Sequence, residues 1–461
     1  MKTFDREIVS GSIVRSVWKL AWPMTLLNLI NGSHSLVDHI LVGNFVPSAD
    51  NSANAAIGVA WQVFLVFVVM IASLFQGNNV LIARYSGRQD REKISAVAYD
   101  VFVSSLAVLM FVLAPLGYFL SPALIRFATA DPAVAAHALP YLRIAFVGGA
   151  PLFVMFMLTG ALQASGDPKT PLKLGILTTV LNMILSTLFI TGIGPWPPLG
   201  TAGAALGTSL APLASVIIAM TLVFKRRTLF HPPKRLRMPD FRVLRTVAAI
   251  GVPTGVQAVL LNLGGMLLIA KIGALPQGAA AQAAYTIGYI QLFALVMWVS
   301  FGLRVASATI MGQNIGAERP ERGTRGVYVA AAMGMGWAVL IGAIFWMFPG
   351  VLLGAFHATD EPVFSFGASL LKVLAFLGLL QIATQSLTGG LQGAGDTRSP
   401  MFIAFVTQIV ILLGLAQIFD ATGYLSVSTL WAALFIAHAC RSILTVAVFY
   451  RERWKGIEIR V

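Results

Sequence analysis

The sequence predicts an all-α membrane protein: twelve transmembrane helices in two six-helix bundles, related by a pseudo-two-fold axis along the membrane normal. Three observations predict it. The 461-residue chain is 57% hydrophobic and only 11% charged, with a mean hydropathy of +0.81, whereas soluble domains carry roughly 25% charge. Its apolar residues fall in long runs, and helices satisfy their own backbone in lipid over about 20 residues. A polar phrase also occurs twice, TGALQASGDPKTP at 159–171 and TGGLQGAGDTRSP at 388–400, identical at seven of thirteen positions.

The spans expected from the apolar runs are 15–43, 54–83, 95–119, 133–163, 171–192, 201–224, 243–273, 281–311, 325–348, 362–392, 400–420 and 428–450. They are too uniformly apolar for barrel strands, which alternate. Lys and Arg set the orientation. Twenty-six of the 32 lie in the N-terminal segment up to Lys19, in 84–93, 169–173, 225–245 and 319–325, at Arg398 and in 451–460. Short basic loops stay on the cytoplasmic side, so a multi-pass protein of the plasma (inner) membrane with both termini cytoplasmic is expected. The same scatter of the +14 charge argues against a nucleic-acid partner. Cys440 is the single cysteine, so no disulfide or cysteine metal framework exists. The polar, mixed-charge start has no cleavable-signal pattern.

The repeat extends beyond the phrase. Gly87, Glu92 and Lys93 match Gly316, Glu321 and Arg322, Asp131 matches Asp360, and Arg143 matches Lys372, all 229 residues apart. A duplicated six-helix unit follows: an N-lobe at 1–224, a cytoplasmic linker at 225–242 and a C-lobe at 243–461. An even number of spans gives both copies the same orientation, an architecture that places binding near the membrane midplane. Gly-Asp followed by Pro is ordinary turn chemistry, but it leaves Thr-Gly-x-Leu-Gln in the preceding helix unexplained.

Charged groups inside spans are functional candidates by default. Of the eighteen acidic residues only Asp38 and Asp100 lie inside an apolar span, Asp420 standing at the very end of its own. Asp100 is near a basic loop and reads as a structural charge. Asp38 closes a polar stripe, Asn28, Asn31, Ser35 and Asp38, on one helical face, with His34 one turn before it. Such stripes also glue helices together, but glue does not need a charge. Arg143, Lys271, Arg304, Lys372 and Arg441 also lie within spans. Arg143 and Lys372 are expected to snorkel or pair; Lys271 and Arg304 would repel cations if they faced a cavity.

The motifs together resemble the multidrug and toxic compound extrusion (MATE) family. The doubled TG-x-LQ-x-x-GD phrase looks like that family's sequence after its fourth and tenth helices. VLIARYSGRQD and SATIMGQNIGAERP resemble the ends of its second and eighth, and WPMTLLNLINGSHSLVDHILVGNF resembles its first, with Pro23, Asp38 and Gly43 in order. AAIGVAWQ and PPLGTAGAALGTSL are further matches, so the resemblance covers nearly the whole chain. It implies a secondary active exporter, not an enzyme, that moves organic, often cationic or amphipathic compounds by antiport with H+ or Na+, with no other cofactor and as a monomer. It also implies an N-lobe site in which Asn182 and Thr208 join Asp38. Ser186 stands where some members have a second acid, which favours H+ over Na+, since a hard cation prefers more anionic oxygen; Na+ at Asp38, Asn182 and Thr208 is the other possibility. His34 completes the coupling set.

Asn31, Trp61, Gln257, Tyr285, Tyr289 and Met297 are candidate substrate contacts, with Phe64 and Phe293 beside them and Asn262, Gln381, Thr384 and Gln385 as further polar groups. Packing or lipid contact is the ordinary role of such residues. Two rivals are a lipid-linked oligosaccharide flippase, which calls for a basic cavity, and an intramembrane enzyme. The six histidines lack metal-ligand spacing with acids, apart from His34 and Asp38. No phosphate-binding loop follows a strand.

Overall fold

The computed structural model describes residues 4–46, 52–193, 197–225, 227–231, 237–356, 358 and 360–459, with the side chains of 31–41, 43, 44, 54, 70 and 74 excepted. The described residues are helical or in turns and bends, with no strand. The long helices are α1 (Ile13–Phe45), α2 (Ser52–Gly87), α3 (Arg91–Ala128), α4 (132–164), α5 (Lys169–Thr191), α6 (Thr201–Phe224), α7 (Phe241–Gly273), α8 (278–316), α9 (Pro320–Met347), α10 (Glu361–Gly393), α11 (Arg398–Ala421) and α12 (Val427–Tyr450). Among the described residues ten helices are long and apolar enough to cross a membrane. The two halves of α4, bent by 50° at Gly149, make an eleventh. At 33 residues, α1 is long enough to be the twelfth.

The duplication is written in the backbone. Gly166 and Gly395, 229 residues apart, take φ of 89° and 91°, and Gln89 and Glu318, at the same offset, take 59° and 60°. Asp167 accepts from the Thr170 amide at 3.3 Å and hydroxyl at 2.6 Å, and Asp396 accepts from Ser399 in the same way at 3.0 and 2.7 Å. Asp131 and Asp360 both sit at helix N-caps in extended conformation. The Gly of Thr-Gly-x-Leu-Gln has a packing role in each copy. A Cβ on Gly160 would lie 2.7 Å from the Asn79 side chain, and one on Gly389 2.2 Å from the Arg304 carbonyl oxygen. These are sites of close helix approach.

The chain forms two compact units. Among the described residues the first comprises Phe4, Asp5 and Leu26–Val252; the second comprises Arg6–Thr25 and Pro253–Ile459. Both crossings lie close to a helix proline, Pro23 in α1 and Pro253 in α7, where the backbone loses an N–H donor and bends most readily.

In the first unit the basic segment after α6 is fastened to α3. Arg237 pairs with the fully buried Asp100 at 2.8 Å, and the Tyr99 hydroxyl donates to the Arg237 carbonyl at 2.9 Å. Asp100 is thus a structural charge. Arg143 stacks over Tyr118 at 4.7 Å. In the second unit the short helix Arg6–Ser10 buries Ile8. Its last carbonyls are capped by basic residues: Arg322 donates to Gly11 at 2.6 Å and Arg319 to Val9 at 3.2 Å. Near the C-terminal end of α12, Trp454 is buried against Phe449, and Lys455 pairs with Glu321 at 2.6 Å and with Glu452 at 2.7 Å. Hydrogen bonds to Glu321 and Glu452 hold the Lys455 ammonium pKa above its ordinary value. Lys372 lies over Trp346 at 5.9 Å, the second-half counterpart of the Arg143 stack.

Candidate cation-coupling site

The best-defined polar site of the first unit lies on the seam between α5 and α6. Small residues create the seam. A Cβ on Gly203 would sit 2.5 Å from the Phe189 backbone, and one on Gly207 2.4 Å from the Ser186 hydroxyl. Only glycine allows this approach, and it carries Thr208 to Asn182. The Asn182 amide nitrogen donates to Ser186 at 3.2 Å and to Thr208 at 3.3 Å. Asn182 and Ser186 are fully buried. The Asn182 side-chain oxygen has no hydrogen-bond partner among the described residues, a costly state for a buried acceptor. Farther along the seam, Thr178 donates to Ser215 at 2.7 Å.

The structure therefore brings together Asn182, Ser186 and Thr208. Trp61 lines one small crevice with Thr208, about 10 Å³ in volume and bounded also by Phe64, Tyr141 and Gly149. That is room for about one water. The side chains of Asn31, His34, Ser35 and Asp38 lie outside the described residues, although their backbone is part of α1. The oxygens on this seam are neutral and suit a hard cation only in company with an anionic group. Among the described residues no three His, Cys, Asp or Glu cluster as metal ligands.

The other candidates lie in the second unit. Gln257 accepts from Gln392 at 3.2 Å, and Asn262 donates to the Ala258 carbonyl at 2.9 Å. Met297 accepts from Gln381 through its sulfur at 3.1 Å. Tyr285 and Phe293 are buried core residues, and Tyr289 stacks between them, 5.0 Å from the first ring and 5.5 Å from the second. Lys271 pairs with Asp420 at 2.6 Å, so its charge is already met. Arg304 lies over Phe301 at 5.4 Å.

A family model, MatE, matches this chain twice, at residues 23–188 and 253–417. The chain belongs to this family of membrane transporters. The two matches fall on the two copies found through the 229-residue spacing. A probable multidrug resistance protein NorM from Thermotoga maritima is 26% identical over 452 residues, covering 96% of this chain and 93% of the relative. A probable multidrug resistance protein YpnP from Bacillus subtilis is 24% identical over 463 residues, covering 100% and 99%. Among solved structures, a MOP superfamily transporter from Pyrococcus furiosus, whose binding pocket is described as reversed in polarity, is similar with a TM-score of 0.88 at 20% identity over 98% of both chains. An outward-facing multidrug resistance MATE family transporter gives 0.87 over the same coverage. At that identity the structural likeness establishes the fold. MatE membership makes this chain a transporter, not an enzyme.

One polar cluster was not singled out from sequence. In the second unit of this MatE protein, Arg441 of α12 meets Thr407 and Gln408 of α11, and His438, one turn before it, meets Tyr289 of α8. Arg441 was visible as a charge within a span, but the partners that distinguish it lie on another helix, α11.

Proposed function

We propose that this protein exports organic, often cationic or amphipathic compounds by cation antiport, with H+ as the coupling ion, through alternating access between an N-lobe and a C-lobe. It would do so as a monomer in the plasma (inner) membrane, with both termini in the cytoplasm. The observation that carries the reading is the α5–α6 seam, where Asn182, Ser186 and Thr208 converge and the Asn182 side-chain oxygen has no hydrogen-bond partner among the described residues.

Asp38 supplies the exchangeable charge in this scheme. A single carboxylate among neutral oxygens suits proton exchange: burial favours its neutral form, and a local rearrangement that admits water favours the charged one. Na+ would call for a richer anionic set, and Ser186 removes the obvious second acid. The names of the relatives, multidrug resistance proteins over nearly their full lengths, support the substrate breadth.

Everted vesicles with an imposed proton or sodium gradient test the proposal, with ethidium efflux followed by fluorescence. Export driven by the proton gradient and abolished by Asp38→Asn is expected. Transport driven by neither gradient rejects antiport, and a sodium requirement rejects the proton assignment.

A further inference from the structure

The second unit contains a cation within the span that is held by neutral groups. Arg441 donates from Nε to the Thr407 hydroxyl at 3.0 Å and from Nη2 to the Gln408 carbonyl oxygen. It makes no ion pair among the described residues, whereas Lys271 in the same unit has Asp420. A guanidinium has five N–H donors, so three remain beyond these two bonds. Arg441 is half-buried and lies nine residues from the end of α12 at Tyr450, about 14 Å along the helix. A charge at that depth is expensive unless an anion meets it.

Local geometry is specialised at the same place. Thr407 and Gln408 lie in a π-helical stretch of α11, Phe405–Leu413, and Tyr289 lies in a second π-helical stretch, Thr286–Leu292 of α8. π-turns are uncommon and concentrate at functional positions; here both point their polar residues to one cluster. The Tyr289 hydroxyl is 3.4 Å from His438 Nε2, and His438 Nδ1 is 2.9 Å from the Leu434 carbonyl. Gln408 has little freedom to leave: a Cβ on Gly264 would meet its Cγ at 2.2 Å. Beside the cluster runs a ladder of rings, with Trp431 on Tyr285 at 6.0 Å, Tyr285 on Tyr289 at 5.0 Å and Tyr289 on Phe293 at 5.5 Å.

We infer that Arg441, positioned by Thr407 and Gln408, binds a carboxylate of the transported compound, and that the substrates include aryl carboxylates whose rings lie against the edge of Tyr289. The inference rests on the export reading for calling that ligand a substrate. A planar carboxylate suits the free N–H groups of the guanidinium, and the aromatic ladder supplies apolar contact for the ring. The alternative is purely architectural, with Arg441 pinning the π-turn of α11 to α12.

A matched dye pair separates these readings. Rhodamine 110 carries a free benzoate, and rhodamine 123 is its methyl ester. Binding of both to the full-length protein in lipid nanodiscs is titrated by fluorescence anisotropy. The wild type is expected to bind the acid about 10-fold more tightly than the ester, the worth of one charge-assisted pair. Arg441→Gln should bring that ratio to about 1. Gln408→Glu retains the arginine but supplies an internal counter-ion, and should also abolish the preference. It covers the case in which Arg441→Gln does not fold.

A wild-type ratio near 1 or below, failure of the wild type to bind either dye, or a ratio unchanged by the variants overturns the inference. Equal weakening of both dyes in Arg441→Gln leaves the ratio intact, assigns Arg441 an architectural role and likewise overturns it. Ethidium export in everted vesicles judges the transport reading separately: its failure alongside a retained acid preference sinks the export proposal and leaves the carboxylate site standing.

Discussion

Gly207→Ala is the sharpest test of the α5–α6 seam. The added Cβ would lie 2.4 Å from the Ser186 hydroxyl oxygen and 2.8 and 2.9 Å from its backbone N and Cα. Comfortable carbon contacts are about 3.5–4.0 Å, so α5 and α6 must part by about 0.5–1 Å. The Asn182–Thr208 hydrogen bond, already 3.3 Å, would then stretch to about 4 Å and cease to be one. Overpacking costs about 1–3 kcal/mol and the lost hydrogen bond about 1 kcal/mol. Removing a helix glycine returns about 0.5–1 kcal/mol. Gly336→Ala in α9 receives that return alone, since nothing lies within 4 Å of its Cβ. Relative to this control, Gly207→Ala is expected to be roughly 2–4 kcal/mol less stable. It should also lose gradient-driven export more than it loses substrate binding. Thermal denaturation in detergent and vesicle transport measure the two effects. Equal melting behaviour and equal coupling in the two variants would refute the reasoning.

Three further expectations follow from the same geometry. Arg237→Ala leaves Asp100 fully buried and unpaired and should cost about 3 kcal/mol; the pair Asp100→Asn with Arg237→Gln should recover part of it in the same melting assay. Gly166→Ala and Gly395→Ala, at φ of 89° and 91°, should each destabilise by at least about 1–2 kcal/mol, with Ile459, 2.9 Å from a Cβ at 395, adding to the second; melting unchanged in either variant would contradict the left-handed turns. Lys271→Ala removes a pair whose side chains are 31% and 43% exposed, so its effect should stay below about 1 kcal/mol and shrink in high salt.

The spans and the repeat were legible because each rests on local chemistry. Long apolar runs have few alternatives to a transmembrane helix, and the Gly-Asp turns specify a left-handed residue and a carboxylate cap wherever they occur. That is why the 229-residue offset read from Gly166 and Gly395 reappears as matching dihedrals and hydrogen bonds. Asn182, Ser186 and Thr208 were reachable only by resemblance. They are 22 or more residues apart across a loop in the case of Thr208, and no periodicity specifies which face of α6 meets which face of α5.

The remainder belonged to tertiary structure. Gln257, Met297 and Tyr285 were candidate substrate contacts, with Phe293 beside them and packing as their ordinary role; their partners, Gln392, Gln381 and the packed core, were visible only in the structure. Lys271 looked like an uncompensated charge until Asp420, 149 residues away, was seen beside it. The π-turns of α8 and α11 shift side chains off the 3.6-residue register, so the convergence of Tyr289, Thr407 and Gln408 toward α12 cannot be read from a helical wheel. The sequence by itself determined a duplicated, helical, membrane-spanning plan, because burial in lipid and turn chemistry act over neighbouring residues; the transporter reading came from the resemblance. Only the tertiary structure decided which polar groups are paired and which are left unsatisfied, because that depends on helix contacts between residues far apart in the chain.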